Sequence, residues 1–233
     1  MSVFRFKEFS IIQDRSAMKV GTDAMLLGSL ISPNISGNCL EIGTGTGVIS
    51  LMLLQRSPEL FITSIDIDID SLEEALENFK NSPWKNRVEG IQCDFLEFNF
   101  RNKFDLIVSN PPYFENGLLN DSKRKALTRH EESLPLIDLF EKSSILLSSE
   151  GLFWLILPFE TASKWKIRAI EFGLFCKEEI TIYGKPNLPK RTVFCFSKYE
   201  NKCSQRELII RSEDNSFTDE YKSLTFDFHG VKL

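Results

Sequence analysis

Between residues 39 and 157, short apolar and β-branched runs alternate with segments of helical periodicity, and this alternation constrains the fold more than any other feature of the chain. Residues 39–43 (CLEIG), 61–66 (FITSID), 87–92, 104–109 (FDLIVS) and 152–157 (LFWLIL) read as strands. Val48 to Arg56 reads as a helix, as does a segment over about 70–82, where Leu72, Ala75, Leu76 and Phe79 fall at i, i+3, i+4, i+7 on one core-seeking face. A further helix is expected to open at Ser133, a suitable N-cap. Alternating βα units with apolar strands predict an α/β fold, a mostly parallel sheet covered by helices on both faces. Beyond it, a helix near 160–172 leads to strands near 174–182 and 191–197, separated by the Gly184, Pro186, Pro189 cluster, which predicts an antiparallel C-terminal strand addition. Ahead of it, residues 3–12 alternate as a strand and Thr22 to Ile31 reads as a short helix. One domain is expected, with an N-terminal extension over 1–35, a core over 36–200 and a C-terminal extension over 201–233.

A chain of 233 residues can bury a substantial core, and 42% apolar with 26% charged residues excludes wholesale disorder and collagen-like or coiled-coil composition. The longest apolar runs, Val48 to Leu54 and Gly151 to Phe159, are too short to cross a bilayer, so no membrane association is expected. Met1 to Ser10 alternates Phe4 and Phe6 with Arg5 and Lys7, unlike a signal peptide. Cys39, Cys93, Cys176, Cys195 and Cys203 are odd in number and contain no C-x-x-C pair, which favours reduced thiols over a disulfide frame or a metal site; the expected location is the cytoplasm. The net charge of −5 is unevenly spread: residues 161–211 carry +6, against −8 before them and −3 after. Such a basic segment is either a phosphate-attracting face or solvated charge.

Chemistry enters at Glu41-Ile-Gly43-Thr44-Gly45-Thr-Gly47, where a strand ends and a helix begins. Glycines there allow a sharp turn and close approach of a ligand to the backbone, at a helix N-terminus that favours negative charge. The dinucleotide pattern G-x-G-x-x-G, started at Gly43, fails because Val48 stands at its third glycine. The acid-x-G-x-G-x-G form instead resembles the S-adenosyl-L-methionine loop of class I methyltransferases, whose core is Rossmann-like. Asp66 ends the next strand 21 residues past Gly45, where a carboxylate can accept from both ribose hydroxyls of such a cofactor. Ile67 would then lie against the adenine, and Asp94, at the end of the third strand, either accepts from the adenine amino group or caps its loop.

Asn110-Pro111-Pro112-Tyr113 follows the strand Phe104 to Ser109 directly. Two prolines fix the backbone and remove two N–H donors, leaving carbonyl acceptors in set directions. An exocyclic amine is a poor nucleophile because its lone pair is delocalised into the ring. If the Asn110 side-chain oxygen and the Pro111 carbonyl each accept one N–H, the nitrogen can pyramidalise as it attacks, while Tyr113 stacks on the planar substrate. Topology brings this turn and the glycine loop to one carboxyl edge of the sheet, and together they predict an S-adenosylmethionine-dependent N-methyltransferase.

The amine is specified by the ends of the chain. Phe6-Lys7-x-Phe9, the run Gln13-Asp14-Arg15-Ser16-Ala17-Met18-Lys19-Val20-Gly21-Thr22-Asp23, and Leu26-Leu27-Gly28 closely resemble the tRNA1(Val) (adenine-N6)-methyltransferase family. Leu208-Ile209-Ile210-Arg211 and Tyr221-x-x-Leu224-Thr225-x-Asp227-Phe228 resemble its ending. The departures are Ser16 where Cys is common, Glu41 where Asp is, Asp66 where Glu is, and His229 where Tyr is. The resemblance implies methylation of the adenine 3′ to the anticodon of a valine tRNA, with Gly21 and Thr22 near the methionine end of the cofactor; a plain N-cap is the other reading of Thr22. It implies tRNA as partner; no metal is expected from the cysteine pattern, and the oligomeric state is left open with a monomer as the default.

A base in an anticodon loop must be turned out into the pocket, which calls for phosphate contacts around it. Lys123, Arg124, Lys125 and Arg129 are candidates in the loop after the catalytic turn, with Lys185, Lys190 and Arg191 extending the same face; a solvated loop is the alternative for the first four. The same turn serves guanine N2 and glutamine-amide methylation, so rRNA and a protein substrate stand as alternatives, as does a non-enzymatic RNA-binding module, against which the intact glycine loop and Asn110 argue.

Overall fold

The computed structural model describes residues 2–16, 18–112 and 134–229. Eight strands form one sheet: β3 (Gly37–Ile42), β4 (Leu60–Asp66), β5 (Val88–Gln92), β6 (Phe104–Ser109), β7 (Leu147–Pro158), β8 (Phe175–Lys185), β9 (Leu188–Ser197) and β10 (Ser204–Ile209), in the spatial order β10-β8-β9-β7-β6-β3-β4-β5. Within that sheet β9 alone runs against its neighbours, pairing antiparallel with both β7 and β8, while β10 lies parallel to β8. The expected antiparallel addition is therefore one strand inserted between two parallel ones. Helices α1 (Thr22–Leu30), α2 (Val48–Arg56), α3 (Ile69–Lys80), α4 (Leu136–Leu146), α5 (Phe159–Arg168) and α6 (Asp219–Thr225) accompany it.

Strand alternation divides the core in two. Trp154 and Ile156 of β7 and Val193 and Cys195 of β9 turn toward a cluster that includes Leu26 and Leu27 of α1 and Leu51 and Met52 of α2. Phe153, Leu155 and Leu157, with Phe194 and Phe196, turn toward Leu139 and Phe140 of α4. Both faces are thus buried, which is why the strands read as near-continuous apolar runs. α1 is buried from Ala24 to Leu30 and contacts α2, α6 and β7, a degree of enclosure its short length gives no sign of.

Several boundaries differ from the sequence reading, each for a local reason. Residues 3–12 form not one strand but a hairpin, β1 (Val3–Arg5) and β2 (Ser10–Ile12), because the Phe6 N–H donates to the Phe9 carbonyl (2.9 Å) and the two rings stack at 4.3 Å across the turn. α4 opens at Leu136 behind Pro135, later than Ser133, which lies outside the described residues. α5 ends at Arg168 and tightens into a 3-10 turn (Ala169–Phe172) closed by Gly173 at φ 69°. β8 and β9 run to within two residues of each other, with Asn187 at φ 60° in the turn, so the glycine–proline cluster is a hairpin end and not a spacer. β10 and α6, absent from the sequence reading as elements, complete the far edge and close over α1. The five cysteines are free thiols, with Cys39 and Cys195 buried and the sulfurs of Cys176 and Cys203 3.0 Å apart. No helix among the described residues is long and apolar enough to span a membrane.

The order of strands sets the site. The chain leaves β3 toward β4 and β5, then returns to place β6 on the other side of β3, so the switch point lies between β3 and β6. The turn after each of these two strands opens at the same edge.

Candidate active site

β3 ends at Ile42, and Gly43, Gly45 and Gly47 then take φ of 75°, 53° and 78°, a left-handed run that L side chains resist. A Cβ on Gly47 would overlap the Phe79 ring of α3, so that glycine is required by packing; a Cβ on Gly43 would meet nothing within 4 Å and would project into open space. Gly47 leads directly into α2, whose first-turn amides face the same edge.

Glu41 is 1% exposed. Its Oε2 accepts from Thr44 Oγ1 (2.8 Å), Ser64 Oγ (3.2 Å) and Ser50 Oγ, whereas Oε1 is buried with no hydrogen-bond partner. Burial raises its pKa from 4.5 to about 7 against the lowering pull of the three hydroxyls, and the nearby Asp66 charge adds to the rise. Asp66 ends β4; its Oδ2 accepts the Gly45 N–H at 2.8 Å and its Oδ1 the Asp68 N–H at 3.0 Å. Burial raises this pKa too, with those backbone donors opposing.

Ser109 Oγ donates to the Ile42 carbonyl (3.0 Å), tying the end of β6 to the start of the glycine turn and placing Asn110 beside it. A cleft of about 300 Å³ opens there, with Gly43, Thr44 and Gly45 on one wall, Asn110 on another and Gly21 and Thr22 on a third. Pro111 is buried and Pro112 exposed. Thr22 is the first residue of α1; the N-cap is Gly21, which offers no side-chain cap, so the capping reading of Thr22 is corrected. Cys93 N–H donates to the Asp66 carbonyl (3.1 Å), bringing Asp94 alongside the end of β4. There Asp94 Oδ1 accepts from Leu96 N–H at 2.7 Å, the loop cap that was its alternative role. Ile67, just past Asp66, is exposed.

Tyr113, Lys123, Arg124, Lys125 and Arg129 lie outside the described residues. Lys185 and Lys190 flank the β8–β9 turn. β7 closes at Pro158 opposite Arg191, so this hairpin extends beyond the carboxyl edge of the parallel strands, on the side of the cleft. Arg191 also donates to Asp23 Oδ2 (2.9 Å), joining β9 to the start of α1 where Asp23 lines the cleft.

Sequence reasoning missed Met18, Lys19 and Asp23 on the cleft wall and the hydroxyl cage of Ser50 and Ser64 around Glu41. The first three stood within the run Gln13 to Asp23 that carries the family resemblance, with no place in a site assigned to them. The two serines carried no signal, since a serine in an apolar run is ordinarily a packing residue.

The residues fit S-adenosylmethionine: an unpartnered buried carboxylate oxygen suits a cationic ligand, Asp66 suits a diol, and the open space at Gly43 is a cradle a side chain would fill.

A family model described as Methyltransferase small domain matches residues 15–160. Two curated relatives, one from Bacteroides thetaiotaomicron (38% identical over 97% of this chain and 96% of its own) and one from Histophilus somni (40%, over 97% and 96%), are named tRNA1(Val) (adenine(37)-N6)-methyltransferase. Among solved structures, a predicted O-methyltransferase from Agrobacterium tumefaciens superposes with a TM-score of 0.69 at 19% identity, over 88% of this chain and 96% of its own. A glycopeptide N-methyltransferase complexed with S-adenosyl-L-methionine superposes at 0.57 and 12% identity, over 76% and 93%. The fold is thus that of the class I methyltransferases, and the chain belongs to the tRNA1(Val) (adenine(37)-N6)-methyltransferase family.

Proposed function

We propose that this protein methylates the exocyclic N6 of adenine 37, immediately 3′ to the anticodon of tRNA1(Val), using S-adenosyl-L-methionine. The observation that carries the reading is whole-chain similarity to relatives of that name in a chain whose Asn110 turn and glycine loop share one cleft.

The cofactor supplies a methyl group on a sulfonium centre, ready for in-line displacement. Asp66 would accept from the ribose hydroxyls, held in place by the Gly45 and Asp68 amides. Ile67 would cover one face of the cofactor adenine and Asp94 would accept from its amino group, while Glu41, Gly21 and Thr22 would line the methionine end. Asn110 Oδ1 and the Pro111 carbonyl would each accept one N–H of the target amine, concentrating electron density on nitrogen as the methyl arrives. Tyr113 would stack on the flipped base. The proton is lost after transfer, when the nitrogen has become strongly acidic, so no general base is required.

Lys185, Lys190 and Arg191 would meet phosphates beside the flipped base, with Lys123, Arg124, Lys125 and Arg129 gripping the backbone from the loop after the catalytic turn. The protein would act in the cytoplasm as a monomer. The guanine and glutamine-amide readings are not favoured, because the end motifs of the chain fall within the similarity to the tRNA enzymes.

The test is incubation with labelled S-adenosylmethionine and undermodified total tRNA, then digestion to nucleosides. Label in N6-methyladenosine confined to a valine tRNA is expected; label in guanosine, or in a protein fraction only, overturns the assignment.

A further inference from the structure

The third wall of the cleft comes from residues 13–16 and 18–21, which have little regular structure and of which Met18, Lys19 and Gly21 face the cavity. A wall of this kind must be held from behind, and the holder is one side of α3. Ser71, Glu74 and Asn78 lie at i, i+3 and i+7 on its inner face, and all three are buried. Glu74, 0% exposed, accepts three consecutive backbone amides: Asp14 N–H (2.6 Å) and Arg15 N–H (2.8 Å) on Oε1, and Ser16 N–H (2.8 Å) on Oε2. Asn78 accepts from Ile12 N–H (2.8 Å) and donates to the Ile12 carbonyl and to the Thr46 carbonyl of the glycine loop (both 2.9 Å). Ser71 donates to Ser16 Oγ (3.3 Å). Ser16 in turn stands against Gly45, where a Cβ would lie 3.7 Å from its hydroxyl. Gly45 is the residue whose amide fixes Asp66.

From this geometry we infer that Glu74 is a positioning residue for cofactor binding: its carboxylate gathers the Asp14–Ser16 amides and so presets the wall that carries Met18, Lys19 and Gly21 against the glycine loop before any ligand arrives. The inference rests on the reading of the cleft as the S-adenosylmethionine site. A carboxylate is the side chain this task requires. Ionised, it offers only acceptors, on two oxygens, to three converging donors. A carboxamide of the same size keeps one acceptor oxygen and turns an NH2 donor toward a buried N–H, which leaves that amide unsatisfied. Preorganising a wall raises affinity by removing the ordering cost from the binding step, without touching the reacting atoms. The exposed ion pairs of Arg15 with Glu73 and Glu77 (3.1 Å each) join the same elements but in solvent, where they contribute little.

The experiment measures S-adenosylhomocysteine affinity by calorimetry, and kcat with both KM values, for the wild type, Glu74→Gln and, as the surface control, Arg15→Ala. The expected result is a Kd and a cofactor KM at least tenfold higher in Glu74→Gln, with kcat at saturating cofactor and the tRNA KM within twofold of wild type, and an unaltered Kd in Arg15→Ala. A folded Glu74→Gln with wild-type Kd overturns the inference, as does a fall in kcat with both KM values unchanged, which is the mark of a smaller folded fraction. If the variant does not fold, hydrogen exchange on the cofactor-free wild type decides: the amides of Asp14, Arg15 and Ser16 are expected to exchange at least tenfold more slowly than those of Met18 and Lys19, and equal rates overturn the inference. Wild-type protein that binds no S-adenosylhomocysteine would instead refute the assignment of the cleft itself.

Discussion

Asn110 on the cleft wall and buried Glu41, hydrogen-bonded to Thr44 of the glycine turn, each make a separable prediction. Asn110 is placed by the end of β6 beside the glycine turn but takes no part in the contacts that fix Glu41 and Asp66. Asn110→Ala is therefore expected to lower kcat by about a hundred- to a thousandfold, the usual cost of removing a polar group from a developing charge, with cofactor Kd within about twofold. Turnover assays paired with calorimetry check it. Glu41 is expected to set the pH dependence. Its folded pKa of about 7 lies above the ordinary 4.5, so the group binds protons more tightly in the folded state. Its contribution to stability is complete below the unfolded value and is lost as pH rises through about 7. A cationic ligand prefers the ionised form, so cofactor affinity should move the other way, rising roughly five- to tenfold between pH 6 and 7.5. Glu41→Gln should flatten that profile, and titrations at the two pH values read it.

The glycine turn and the βα units behind it determine what could be read from sequence alone. Gly43 and Gly47 share a left-handed φ but differ in surroundings. Gly43→Ala should cost only the backbone strain, about 1–2 kcal/mol, yet weaken cofactor binding by filling the cradle; Gly47→Ala adds overlap with Phe79 and should cost at least about 3 kcal/mol. Urea melts with and without S-adenosylhomocysteine separate the two. Strands β3 to β7 and α1, α2 and α3 were legible because each is a local pattern: a short apolar run, ended in β3 and β4 by glycine or an acid, or a stripe such as Leu72, Ala75 and Phe79. What was hidden depended on distant partners. The stacking of Phe6 on Phe9 bends one apparent strand into a hairpin, β10 gains its ladder only from β8, and Glu74 reads as an ordinary surface acid of α3 until the amides of Asp14 to Ser16 arrive from far along the chain.

Across the whole molecule, charge and topology coincide. The basic stretch 161–211 contains the β8–β9 hairpin, and strand order carries that hairpin past Pro158 on the cleft side of the sheet. Lys185→Ala with Lys190→Ala is expected to raise the tRNA KM and lower the salt dependence of tRNA binding by up to about two units of slope, with cofactor affinity unchanged. Filter binding across a salt series checks it. The N-terminal hairpin has a different dependence. Phe6 pairs with His229, the Lys7 amide donates to the Phe228 carbonyl at 3.1 Å, and the Lys7 ammonium lies 3.6 Å above the Phe226 ring. On a translating ribosome this hairpin is made long before the residues that clasp it, a wait of roughly 10–45 s at ordinary elongation rates. The cleft wall that follows it is gathered instead by Glu74 of α3, which is made early, so a nascent chain can set that wall well before the hairpin behind it is locked.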